Sequence, residues 1–125
     1  FSFRYPREWE LKDYTQNNLF LNVQNQVLRL QLNSDQTEYH VLLFKDEAEN
    51  IIDQIKNDDP SASFVKIDSE VEINDKSYRY LSVLAAIGSL IDYYIQSYDT
   101  EYSVVWVANP YADQAIIQTW ISTFR

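Results

Sequence analysis

His40 is the only histidine in the chain, and Glu38 stands two residues before it. In an extended strand that spacing puts both side chains on one face. A metal site would need further ligands, and the chain has no Cys to supply them. Asp68, Glu70 and Glu72 also alternate along one stretch, which leaves about 7 Å between successive carboxylates on a strand face. That gap is too wide for a single ion without another ligand from Asp75 or a loop, and no EF-hand spacing is present. Ser89 follows Gly88, but no Gly-x-Ser-x-Gly surrounds it. A phosphate-cradling loop needs several glycines, and Gly88 is the only one. We therefore assign no catalytic residue, no metal site and no cofactor, and expect a protein that is not an enzyme.

The charge is the next feature that bears on chemistry. The formal net charge is -9. Between Asp46 and Asp75, ten acidic residues face two lysines, a local charge of -8. Binding nucleic acid needs clustered Lys and Arg, so nucleic acid is not expected as a partner. The same holds for an anionic membrane surface. A basic protein surface fits, and Asp68, Glu70 and Glu72 are the candidate contacts; the plain alternative is a solubilising face.

The chain also carries ten Tyr, of which Tyr78, Tyr80, Tyr93, Tyr94, Tyr98 and Tyr102 crowd one stretch. Tyr suits both sheets and interfaces, where a rigid ring contributes area at small entropic cost. Tyr94 and Tyr98 share a face with Asp92 and Gln96, which implies a partly wet aromatic surface and makes these two rings further partner candidates.

The elements that must position these residues follow from periodicity. Phe1 to Tyr5, Trp9 to Lys12, Leu19 to Val23, Leu28 to Leu32 and Thr37 to Phe44 alternate as strands do. Asp46, with Glu49 three residues on, predicts a capped helix start. Ala48, Ile51, Ile52 and Ile55 then form its apolar stripe, and Asn57 to Pro60 end it. Phe64 to Asn74 alternates most cleanly, with Val65, Ile67, Val71 and Ile73 opposite Lys66, Asp68, Glu70 and Glu72. Asn74-Asp75-Lys76 turns the chain. Tyr78 to Ala86 is apolar on both faces and reads as the central strand. Gly88 marks a turn needing positive φ. Ile91 to Tyr98 and Ser103 to Ala108 are two more strands. Asn109 and Pro110 open a closing helix to Phe124. Its inward stripe is read as Ala112, Ile116, Trp120 and Phe124, with Ile117 and Ile121 beside it.

Short turns between consecutive strands favour antiparallel pairing, and two amphipathic helices must bury their stripes on the sheet. The fold class is α+β, an antiparallel β-sheet flanked by helices. One domain over residues 1–125 is expected at this length. No stretch reaches the roughly 18 apolar residues of a spanning helix, so no direct membrane insertion by this segment is expected. The chain contains no Met. Translation starts at Met, so an N-terminal signal or anchor segment is expected to have preceded Phe1.

Two short motifs carry a resemblance. Phe1-Ser2-Phe3-Arg4-Tyr5-Pro6-Arg7-Glu8-Trp9 resembles the F-x-Y-P-x-x-W opening of PsbP-like domains, and Ile117 to Phe124 resembles the Ser-Thr-Phe ending of their closing helix. The turn at Asn74-Asp75-Lys76-Ser77 lacks the Gly common there. The resemblance implies an α/β/α sandwich and a non-enzymatic binding or assembly module. Such modules are often exported and membrane-tethered, as in bacterial lipoproteins. It implies no functional residue, because the matching motifs are packing motifs. The expected function is thus a non-catalytic protein-binding or assembly module of the cell envelope, located outside the cytoplasm. The alternative is an acidic cytosolic chaperone or adaptor, a class that also uses small, strongly negative α+β domains.

Overall fold

The computed structural model of the protein describes residues 3–4, 7, 9–14, 24–34, 37–57, 64–84, 88, 90–108 and 114–123. Within them the chain runs β1 (Glu10–Tyr14), β2 (Gln26–Ser34), β3 (Thr37–Phe44), α1 (Ala48–Asn57), β4 (Phe64–Ile73), β5 (Lys76–Leu84), β6 (Leu90–Ser97), β7 (Ser103–Ala108) and α2 (Gln114–Ser122). The strands form one sheet in the order β1-β2-β3-β7-β6-β5-β4, with every neighbouring pair antiparallel. The α+β class expected from the alternation is the one observed.

Two up-and-down runs make this order. β1 to β3 fill one side. α1 then carries the chain to the far edge, and β4 to β7 step back until β7 closes against β3. β7 is therefore the central strand, and all six of its residues are buried. The expectation that Tyr78 to Ala86 is central is corrected: β5 lies one place from the edge, beside β4. Its two-sided apolarity reports cover on both faces, which a strand next to an edge also receives.

Successive strand residues point to opposite faces, and the core divides accordingly. On one face Tyr39, Val41, Val104 and Trp106 pack with Ile117, Trp120 and Ile121 of α2. On the other, Leu42, Phe44, Val105 and Val107 pack with Ile51, Ile52 and Ile55 of α1. Each such aliphatic side chain contributes about 1.5–3 kcal/mol by leaving water. The predicted α1 stripe is thus the buried one. On α2 the stripe is Ile117, Trp120 and Ile121, whereas Ile116 is 40% exposed. A row of four-residue steps drifts by about 40° per step around a helix with 3.6 residues per turn. It cannot stay on one face, while the row joining steps of three and four does.

Several predicted elements lie wholly or partly outside the described residues: the strand at Leu19 to Val23, the cap at Asn109 and Pro110, and Ala112 and Phe124 of the closing helix. Of the strand predicted at Phe1 to Tyr5, Phe3 and Arg4 are described, and neither is in a strand. The turn signals hold. Asn74 and Asp75 have φ of 53° and 65°, and Gly88 has φ of 87°. Two consecutive positive φ values between paired strands are the signature of a type I′ hairpin turn, which Asn and Asp tolerate without Gly.

Candidate functional site

β4 is an edge strand, and its acidic row lies on the face that α1 covers. The start of α1 is held by Asp46. Its Oδ1 accepts from the Glu47 amide at 2.8 Å and from Asn50 Nδ2 at 2.9 Å, while Oδ2 accepts from Asn25 Nδ2 at 3.3 Å. These bonds, chiefly that from Asn50, hold its carboxyl below the ordinary carboxylate range. The predicted Asp46–Glu49 pairing does not carry the cap. Glu49 reaches from α1 down to Arg79 of β5 instead, accepting from Nη1 at 3.0 Å.

Arg79 is the hub of an ionic clamp. Its Nε donates to Asp68 Oδ1 at 2.7 Å and its Nη2 to Asp68 Oδ2 at 3.1 Å. Lys56, in the last turn of α1, donates to the same Asp68 Oδ2. Two cations on one carboxylate push the Asp68 pKa down to about 2, with the Arg79 hydrogen bonds the largest cause. The forked geometry gives the pair both strength and direction. The clamp ties α1 to the β4–β5 edge through Lys56 and Arg79. Glu47, Asp53, Glu70, Glu72 and Asp75 are exposed around it.

The predicted partner residues therefore separate. Asp68 is committed to Arg79 and Lys56 and is not a free contact. Glu70 and Glu72 stand exposed on β4, opposite Arg79 and Ser77 of β5. Tyr98 is 41% exposed, beside the β6–β7 turn where its amide donates to the Tyr102 carbonyl at 2.9 Å. Tyr94 is only 5% exposed, packed in the α2-side core with its ring 5.1 Å from that of Tyr80. Burial raises its pKa. The expectation of a wet face shared by Tyr94 and Tyr98 fails at Tyr94, because α2 covers that face. Asp92 on the same face is 1% exposed. Its Oδ2 accepts from the Tyr80 hydroxyl at 3.0 Å, and burial raises its pKa.

His40 lies in β3 opposite Gln31 of β2 and Val107 of β7, and is 2% exposed. Burial first, and the charge of Arg29 second, push its pKa down to about 4. Its Nε2 is 3.6 Å from Glu38 Oε2, so the same-face placement read from the sequence is right. At neutral pH the imidazole is uncharged and the contact is not an ion pair. Among the described residues no cluster of three or more His, Asp or Glu side chains could hold a metal ion.

Sequence reasoning missed Arg79 and Asp92. An Arg between two Tyr residues in an apolar strand, and an Asp in the run Leu-Ile-Asp-Tyr-Tyr-Ile, were the available signals. Each is a polar group that must find a partner or be desolvated.

No family model matches the chain, and no curated protein matches it. Among the described residues no helix is long and apolar enough to cross a membrane.

Proposed function

We propose that the protein is a PsbP-like, non-catalytic module that binds or helps assemble another protein at the cell envelope. The observation that carries the binding role is the excess of acid on the α1–β4 surface. Lys56 and Arg79 turn onto Asp68 and Glu49, leaving Glu70, Glu72, Asp53 and Asp75 facing outward. Such a surface complements a basic protein face and repels nucleic acid and anionic lipid. The buried, neutral His40 is a structural side chain in this reading. The α/β/α layering of the PsbP-like class accords with the two helix-backed cores, and the opening and closing motifs meet in the contact of Trp9 with Trp120.

Capture of the partner from the source organism with the tagged chain, followed by its association rate over about 50 to 500 mM salt, tests this. Exposed charges are screened over about 8 Å at physiological ionic strength, so the rate should fall steeply with salt. A flat response would move contact to Tyr98 and remove the acidic face from recognition. The same acidic surface would serve a cytosolic adaptor, and the sequence upstream of Phe1 separates the two: an export signal supports the envelope, an ordinary cytosolic start the adaptor.

A further inference from the structure

Among the described residues no strand pairs with the outer edge of β4. The β4–β5 hairpin determines which of its amides point there. Ile73 and Lys76 flank the two-residue turn at Asn74 and Asp75. In such a turn the flanking residues exchange both ladder hydrogen bonds, and the exchange recurs at every second residue. Ile73, Val71, Ser69 and Ile67 therefore direct their amides to β5, in a register unbroken from Ile73 to Ile67. The backbone N–H and C=O groups of Glu72, Glu70 and Asp68 project outward from the sheet.

The two faces of this edge differ. Toward α1 it carries the exposed carboxylates of Glu70 and Glu72. Toward α2 it carries Ser69, which is exposed, and Ile67, which is 46% exposed beside the half-buried Val71. Acids on an edge oppose pairing with a second copy, since β4 against β4 would set carboxylate against carboxylate. An apolar side chain left open on a free edge, by contrast, invites cover.

We propose that the β4 edge takes up an extended segment of a partner protein as an eighth strand, and that this segment alternates Lys or Arg with apolar residues. The inference rests on the reading of the chain as a protein-binding module. Main-chain bonds to Asp68, Glu70 and Glu72 hold the added strand, as in other cases of strand addition. Its basic residues lie opposite the acids, at Cα separations of about 5.5 Å. Its apolar residues fall on the other face, over Ile67 and next to Val71.

The test titrates a labelled ten-residue peptide of alternating Lys and Val with the full chain, by fluorescence anisotropy. Saturable binding is expected, weakened about tenfold or more by Glu70→Lys with Glu72→Lys. Two further arms separate strand addition from charge attraction. Glu70→Pro removes an outward N–H that β5 does not use, so the fold should survive and binding should be lost. N-methylation of alternate peptide amides, leaving its charge intact, should abolish binding in one phase of the alternation and spare it in the other. Binding indifferent to both Glu70→Pro and N-methylation would overturn the proposal. A captured partner that binds Glu70→Pro as tightly as wild type would overturn it too, while leaving the module reading intact. Dimerisation of the chain that Glu70→Pro abolishes would assign the edge to self-pairing and overturn the basic-strand occupant.

Discussion

Arg79 grips Asp68 through two parallel hydrogen bonds, from Nε at 2.7 Å and from Nη2 at 3.1 Å. The acid that leads the Asp68-Glu70-Glu72 row is therefore part of the scaffold, and only its two successors are available to a partner. This splits three residues that look equivalent along the chain.

Charge reversal should reveal the split. Asp68→Lys would put a third cation beside Arg79 and Lys56, and should lower stability by about 1–2 kcal/mol, a few degrees in Tm. Glu70→Lys and Glu72→Lys should leave Tm within about a degree or two, as exposed substitutions usually do. Thermal melts followed by circular dichroism decide this, and equal shifts for all three would show that no clamp distinguishes Asp68.

Trp120 is the centre of an aromatic cluster: its ring meets Trp9 at 5.5 Å, Tyr39 at 5.6 Å and Trp106 at 5.0 Å, each edge to face. Trp120→Ala should cost about 3–5 kcal/mol, against the 5–15 kcal/mol that holds a typical domain together. The expected outcome is a Tm many degrees lower or no soluble protein. Trp120→Phe should cost less, because it keeps a ring there and removes a buried indole N–H that finds no hydrogen-bond partner among the described residues. Alanine and phenylalanine variants that melt alike would contradict the docking of α2 described above.

His40 should make the fold acid-sensitive. Its pKa falls on folding from 6.5 to about 4, so the unfolded chain takes up a proton that the folded chain refuses. Stability should be unaffected by this group above 6.5 and decline as pH falls from there toward 4, by roughly 3 kcal/mol in all. His40→Gln should flatten that decline in denaturant titrations between about pH 7 and 4.5. A parallel profile for variant and wild type would rule the group out.

Asp92 should act in the opposite direction. Burial raises its carboxyl pKa above the ordinary value of 3.8, so the folded chain holds the proton more tightly. That contribution grows as pH falls and is lost as pH rises past the raised value. At neutral pH the buried carboxylate is a cost. Asp92→Asn keeps an acceptor for the Tyr80 hydroxyl and should raise Tm by a few degrees at neutral pH, with the gain shrinking toward acid. A neutral-pH Tm equal to or below wild type would show that the carboxylate carries no burial penalty.

Much of the fold was legible along the chain, because strand and helix periods are relations between near neighbours. A β-bulge between Val65 and Ile67 turns Val65 into the α1-side core, away from Val71 and Ile73 on the α2 side, so the alternation expected from Phe64 stands only from Ile67 to Ile73. The stripe of Ile51, Ile52 and Ile55 and the turns at Asn74-Asp75 and Gly88 stand as sequence patterns alone determine. So does the excess of acid between Asp46 and Asp75. What tertiary structure decided is which element covers which face. β7 became central because the chain returns from the far edge to pair with β3, a non-local choice that no local period encodes. Tyr94 lost its surface because α2 packs over it, and Ile116 kept its exposure because α2 turns Ile117 and Ile121 inward. Asp68 found Arg79 and Lys56 only once the hairpin and α1 came together. Alternation tells which residues share a face, but exposure belongs to the packing of distant segments, and so does the choice of which carboxylates remain free to meet a partner.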